Sequence, residues 1–301
     1  MNENYKNENM KIAIYGRPYR NRLNQYVDQI VSMINSHGFS MAISEPYATF
    51  LSSSGIANYQ GETFNPEQVN ISEFCCLISI GGDGTLLDTV TIIGDSGVPV
   101  IGINAGRLGF ISSISIDELT LVLTSLKDGN YKCEERSLLM VETERKLFGK
   151  NNFALNELTL HKKDSSSMIR IHAFLDNEIL NTYWADGLII STPTGSTAYN
   201  LSCGGPIIIP GSENVVVTPI APHNLTVRPI VISNSSTLRI KLEGRGKNFL
   251  MTLDSRSEPI YANEEIVVSR APFNFKLIQL EGHTFISTMR NKLAWGLDKR
   301  N

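Results

Sequence analysis

The sequence is short of several things, and each shortage narrows what it can be. No stretch approaches the roughly 18 consecutive apolar residues that cross a bilayer as a helix, so no membrane span is predicted. The first ten residues are polar and lack the basic start and apolar run of a secretory signal. Cysteine is scarce: Cys75, Cys76, Cys133 and Cys203 form no CxxC pair. That pattern argues against a disulfide framework or a zinc knuckle and fits buried thiols in a reducing cytoplasm. Positive charge is not in excess. Lys plus Arg total 27 against 30 Asp plus Glu, a net charge of −3. A global basic field for nucleic acid is therefore excluded, although a local phosphate pocket is not. The five histidines are scattered without ligand spacing. There is no GxxxxGK[ST] loop, no complete GxGxxG, no HExxH and no GxSxG. No Pro- or Ser-rich linker, fixed-period repeat or low-complexity segment interrupts the 301 residues.

What remains is a globular composition, 42% hydrophobic and 19% charged, long enough for two cored domains. The first third alternates strand and helix. Lys11 to Tyr15 reads as a strand, Leu23 to Ile34 recurs at helical spacing, and Phe39 to Ile43 is a second strand. Glu45 to Leu51 reads as helical, whereas Ser52 to Gln68 reads as loop. Phe74 to Ile80 and Val98 to Ile103 are continuous apolar strands, as expected where both sheet faces are covered. Ile116 to Leu126 is amphipathic. This alternation predicts a parallel α/β layer.

Near residue 135 the character changes. Runs at 138–141, 154–160, 169–175, 187–191, 215–219, 229–232, 238–242, 249–253, 265–268 and 275–280 are β-type, with Gly, Asn and Asp turns between them. Many short strands so spaced predict an all-β sandwich. Thr284 to Trp295 again reads as helical. The expected domains are 1–134, an α/β Rossmann-like domain completed by the tail 284–301, and 135–283, a β-sandwich.

Four clusters could carry chemistry. Gly81-Gly82-Asp83-Gly84-Thr85 directly follows the buried strand 74–80. Ligands of open α/β sheets bind beyond the carboxyl ends of strands, and free N–H groups at a helix start favour anions. Asp83 would repel phosphate unless it holds a metal or takes a proton from an attacking hydroxyl. A plain turn with a capping Asp or Thr is the alternative. Asn104 to Phe110 offers a second Gly-rich loop, in which Arg107 supplies positive charge. Asp186 to Pro206 runs a strand into a dense cluster of hydroxyls: Ser191, Thr192, Thr194, Ser196, Thr197, Tyr199 and Ser202. These suit a polar ligand, or else serve as turn caps. Asn156-Glu157 lies within the run 154–160, where Asn can pair with an adenine edge and Glu with ribose hydroxyls.

Taken in order, GGDGT at 81–85, NAGRLGF at 104–110, LNE at 155–157, DGLIISTPTGSTAYNLSCGGP at 186–206, APHNLTVRPIVI at 221–232 and KLAW at 292–295 resemble the NAD kinase family. Those enzymes phosphorylate the adenosine 2′-hydroxyl of NAD. The resemblance implies an active site between an α/β domain and a β-sandwich that binds NAD, with Asp83 as proton acceptor. It implies NAD-binding roles for Asp83, Gly84, Asn156, Glu157, Asp186, Thr194, Thr197, Ala198, Tyr199, Asn200, Leu201 and Ser202. Gly81, Gly82, Thr85, Arg107 and Arg256 are its candidates for the donor phosphates. ATP, or in some members polyphosphate, is the implied donor, with a divalent metal such as Mg²⁺ whose ligands the sequence does not name. The implied partners are these small molecules, with neither nucleic acid nor membrane, in a cytoplasmic homodimer or homotetramer. One departure is Asp254-Ser255-Arg256, where relatives often carry Gln in place of Arg256; the guanidinium would meet a phosphate or point to solvent. A lipid or sugar kinase sharing the GGDG loop, and a non-catalytic NAD(P) sensor, are the competing readings.

Overall fold

The structure, a computed structural model, describes residues 10–19, 24–104, 109–163, 169–244, 248–262, 264–280 and 282–295. Arg107 lies outside that set. The chain divides into two compact units, Met1–Glu135 with Phe275–Asn301, and Arg136–Asn274.

The first unit alternates β1 (Lys11–Gly16), α1 (Val27–Ser36), β2 (Ser40–Ser44), α2 (Glu45–Ser53), β3 (Glu62–Phe64), β4 (Cys76–Ile80), α3 (Asp83–Ile93), β5 (Val100–Asn104), β6 (Ile114–Ser115) and α4 (Leu119–Lys127). Its sheet runs in the order β3–β2–β1–β4–β5, parallel throughout. Every residue of β4 is buried, because helices cover both sheet faces. Val27, Ile30 and Ile34 form the inward stripe of α1. Gly38 ends that helix at φ +83°, a left-handed conformation that costs glycine nothing. β3 was not foreseen: its three residues lie inside the stretch read as loop.

The tail returns to this unit, with Leu277 paired in parallel to Val100. Its helix α6 (Phe285–Leu293) begins with a reciprocal cap. Ser287 N donates to Thr284 Oγ1 at 3.1 Å, and Thr284 N donates to Ser287 Oγ at 3.1 Å. Thr284→Ala should therefore weaken this helix locally by about 1 kcal/mol. Amide exchange over 285–288 is expected to quicken about fivefold; unchanged protection would show that the cap contributes nothing.

The second unit is all β. It comprises β7 (Lys132–Thr143, which begins in the first unit), β8 (Phe153–Ala154), β9 (Glu157–Lys162), β10 (Ile169–Leu175), β11 (Glu178–Ala185), β12 (Gly187–Ser191), β13 (Asn214–Ile220), β14 (Ile230–Ser233), β15 (Leu238–Glu243), β16 (Asn248–Leu253), β17 (Arg256–Tyr261) and β18 (Glu265–Gln279, which ends in the first unit), with one short helix α5 (Tyr199–Ser202). Six antiparallel strands form a sheet in the order β14–β13–β12–β9–β16–β17. A second layer, β11–β10–β15 with the start of β18, faces it. Inward residues of both layers, among them Ile171, Tyr183, Leu188, Val217, Ile240 and Met251, make one apolar core. The architecture is a β-sandwich.

β11 and β17 were not foreseen. The runs read at 265–268 and 275–280 are parts of the single strand β18, whose continuity is masked by Arg270 and Pro272.

Candidate active site

In the first unit the chain leaves β4 at Gly81 and enters α3 at Asp83. The turn is tight. A Cβ on Gly81 would lie 2.2 Å from Thr85 Oγ1, and Gly81 N donates to Ile103 O at 3.0 Å. Thr85 is 2% exposed. It props the turn from inside, so its hydroxyl is not presented to a donor phosphate as expected. Gly82 and Gly84 remain exposed.

Asp83 makes no helix cap. Its carboxylate reaches instead to a second turn, accepting from Phe110 N at 2.8 Å, Ile111 N at 3.2 Å and Ser112 N at 2.9 Å. Ser112 Oγ donates in turn to Gly81 O at 2.9 Å. Gly109 makes this approach possible, because a Cβ there would fall 1.9 Å from Asp83 Oδ1. A carboxylate offers about four lone-pair sites. Three are taken by backbone N–H groups, leaving one on Oδ2 without a donor among the described residues.

In the second unit the expected Asn156-Glu157 strand is broken. β8 stops at Ala154, β9 starts at Glu157, and Leu155-Asn156 forms a turn between them. The cause lies about a hundred residues away. Asp254, at φ +53° in the β16–β17 turn, accepts from Leu155 N at 2.9 Å, Asn156 N at 2.7 Å and Glu157 N at 3.2 Å. Burial raises the Asp254 carboxyl, against the pull of these N–H bonds and of Arg256.

Asn156 and Glu157 are 7% and 9% exposed. Asn156 Oδ1 and Glu157 Oε2 have no hydrogen-bond partner among the described residues. Buried acceptors rarely stay empty in a structural role. Burial, and then the charge of Asp254, push the Glu157 carboxyl up to about 8.

That elevation has a direction for stability. The folded chain holds a proton that the unfolded chain releases near 4.5. The contribution is full below that pH and fades as pH rises through about 8, by up to about 1.4 kcal/mol per pH unit. Glu157→Gln keeps the shape without the charge. The variant should melt with wild type near pH 5 and above it at pH 8.5; parallel melting curves at all pH values would refute this environment for Glu157.

The hydroxyl-rich segment is stitched to the same turn. Thr192 N donates to Asn156 O at 2.9 Å, and Thr192 Oγ1 to Leu155 O at 2.5 Å. Gly195 packs so closely that a Cβ would lie 2.2 Å from Asn156 O. Thr194 accepts from Arg136 Nη1 at 3.3 Å, and Thr197 Oγ1 bonds Thr194 O at 3.4 Å. Ala198 and Leu201 are half-buried, while Tyr199 and Ser202 are exposed.

Three expected residues sit elsewhere. Asn200 is wholly buried: its Nδ2 donates to Ser196 O at 3.0 Å and Pro206 O at 3.1 Å, and its Oδ1 accepts from Thr218 Oγ1 at 2.6 Å. Its side chain holds the α5 turn together, with both amide N–H groups committed to backbone carbonyls. Asp186 precedes β12, whereas Thr192 follows it. The five strand residues between them put roughly 20 Å from Asp186 to Thr192, and Asp186 pairs there with Lys162 at 2.5 Å. Arg256, half-buried, turns back onto its own unit. Its guanidinium donates to the carbonyls of Asn151 and Phe153 and stands 4.0 Å from Asp254.

Sequence reasoning missed the anchoring roles of Asp254, Gly109 and Ser112, although all three lie in or beside motifs it had noticed. It also missed Arg17, whose Nη2 donates to Gly84 O at 2.8 Å. Among the described residues no group of three or more His, Cys, Asp and Glu could hold a metal. The donor set therefore does not fit a protein-caged cation.

The chain matches two family models: the ATP-NAD kinase N-terminal domain over residues 12–131 and the ATP-NAD kinase C-terminal domain over residues 155–280. It is 43% identical over 292 residues to the NAD kinase of Cytophaga hutchinsonii, covering 97% of this chain and all of that one. The NAD kinase of Flavobacterium johnsoniae is 43% identical over 294 residues, again spanning 97% and 100%. Among solved structures, a yeast NADH kinase complexed with NADH superposes with a TM-score of 0.85 at 24% identity, covering 98% of this chain and 90% of that one. An Archaeoglobus fulgidus NAD kinase in complex with ATP gives 0.73 at 21% identity, covering 95% and 98%. At those identities the two structures bear on the fold.

Proposed function

We infer the chemistry from one premise: the chain belongs to the NAD kinase family. It transfers the γ-phosphate of ATP to the 2′-hydroxyl of the adenosine ribose of NAD, giving NADP and ADP. The observation that carries the site assignment is the pair of buried, unpartnered acceptors on Asn156 and Glu157.

An adenosine supplies what those atoms lack. Its exocyclic amine suits Asn156 Oδ1, and its ribose hydroxyls suit Glu157. Below about pH 8 Glu157 carries a proton, so it both accepts from and donates to the diol. Thr194, Thr197, Ala198, Tyr199, Leu201 and Ser202 line the remainder of the nucleotide's path.

Asp83 is the proton acceptor. Its remaining lone pair takes the 2′-hydroxyl proton as that oxygen bonds to the γ-phosphorus and the bond to ADP breaks. The N–H groups opening α3 at Gly82–Gly84 face the phosphates. A divalent ion bound with ATP would supply charge neutralisation on its phosphates, and no residue of this chain is assigned to hold it. Polyphosphate is the alternative donor.

Four unbridged cysteines fit a reducing cytoplasm. Exposed Ile230 and Val231 on the edge strand β14 support assembly as a homodimer or homotetramer.

The deciding assay mixes the protein with NAD, ATP and Mg²⁺ and reads NADP through an NADP-specific dehydrogenase. NADP formation is expected. NAD binding without NADP would make the chain a sensor, and absence of NAD binding would remove the assignment of Asn156 and Glu157.

A further inference from the structure

The strand order β3–β2–β1–β4–β5 reverses its direction of growth between β1 and β4. The crevice beyond the carboxyl ends of two such strands is where open α/β sheets take ligands. Gly82 and Asp83 occupy one wall. Gly16 is the register partner of Ile80, so Arg17, one residue on, begins the other wall.

Arg17 is locked in place. Its Nε donates to Asp88 Oδ2 at 2.5 Å, and its Nη2 donates to Asp88 Oδ1 at 2.8 Å and to Gly84 O at 2.8 Å. Those bonds occupy three of the five guanidinium N–H groups. The two on Nη1 have no partner among the described residues. Nη1 lies 3.5 Å from where a Cβ on Gly84 would stand, and Gly82 and Gly84 are exposed beside it. The Arg17 side chain itself is 34% exposed. The Asp88 carboxylate and the Gly84 carbonyl thus fix the guanidinium plane, and Nη1 alone is left, pre-oriented, for whatever meets the glycine turn. Its two N–H groups suit phosphate oxygens.

We propose that Arg17 binds the phosphate chain of the phosphoryl donor, Nη1 donating to non-bridging oxygens beside Gly82–Gly84. The proposal rests on the reading that the donor meets that turn. Asp88 offsets much of the positive charge, so the contact acts through directed hydrogen bonds more than through net charge.

The test compares wild type with Arg17→Ala and Arg17→Lys, varying ATP and NAD separately, with calorimetric titration of ATP and of inorganic tripolyphosphate and a melting curve for each protein. Arg17→Ala should raise KM for ATP about tenfold and weaken ATP binding in step, leaving KM for NAD within about twofold. Weakened tripolyphosphate binding would place the contact on the phosphates and not on the nucleoside. If Arg17→Ala fails to fold, Arg17→Lys decides. A lysine cannot pair with Asp88 and reach the donor together, so KM for ATP should still rise about threefold. An unchanged KM for ATP in a folded variant overturns the proposal, and so does an equal rise in both KM values, which would make Arg17 a brace for the turn alone. A wild type that makes no NADP from ATP would overturn the kinase reading instead, while tripolyphosphate binding would still judge Arg17.

Discussion

Asp83→Asn is expected to lower kcat by about 10²–10⁴-fold, the range over which a positioned general base acts. The substitution keeps the size of the side chain and removes the group that takes the proton. It is not silent toward the turn. Phe110 N bonds one carboxylate oxygen, and Ile111 N and Ser112 N bond the other. An amide has a single oxygen, so at least one of those N–H groups would face an NH₂. A modest loss of melting temperature should therefore accompany the loss of rate. Single-turnover measurement at saturating NAD and ATP separates the two, because an unfolded fraction scales the amplitude whereas a missing base scales the rate constant. A rate constant within about threefold of wild type would remove Asp83 from the base role.

The same residue shows what the sequence could and could not disclose. An unbroken apolar strand followed by glycines placed Gly81–Asp83 at a sheet edge, and hydrophobic periodicity gave most of the α/β unit. It did not disclose that Asp83 turns away from its own helix toward residues 110–112, since nothing local encodes a bond across nearly thirty positions. Arg17 was invisible for the same reason: its partners are Gly84 and Asp88.

The missed strands are short or lie at sheet edges, where the apolar pattern is weakest. β3 has three residues, two of them exposed. β11 is the edge of its layer and buries only Tyr183 and Ala185. β17 contains Pro259, which argues against a central strand yet is tolerated at an edge. In the hydroxyl-rich segment, residue type told which groups can donate but not toward what. Asn200 and Tyr199 are neighbours in sequence; one is wholly buried among backbone carbonyls and the other is exposed.

Asp254 is where a single change should cost most in stability. Three N–H groups of the 155–157 turn rest on its carboxylate. Asp254→Ala leaves them without acceptors, at about 1–3 kcal/mol for each that stays buried. It also strips the guanidinium of Arg256 of its nearby counter-charge. Two effects work the other way: an expensive buried charge disappears, and Glu157 loses a repulsive neighbour. The net expectation is a loss of about 3–5 kcal/mol, read by urea unfolding. NAD affinity should fall with it, because the turn fixes the backbone from which Asn156 Oδ1 and Glu157 Oε2 are presented.

Asp254→Asn discriminates between support and charge. Asparagine tolerates φ +53°. Its oxygen can keep the two bonds now made by Oδ1, to Asn156 N and Glu157 N, leaving only Leu155 N opposed. The loss should be about 1–3 kcal/mol. With the charge gone, the Glu157 carboxyl should titrate below its wild-type value of about 8, so the pH-dependent loss of stability ends at a lower pH. A folded Asp254→Ala protein with wild-type urea midpoint and wild-type NAD affinity would show that the turn holds its shape without this carboxylate.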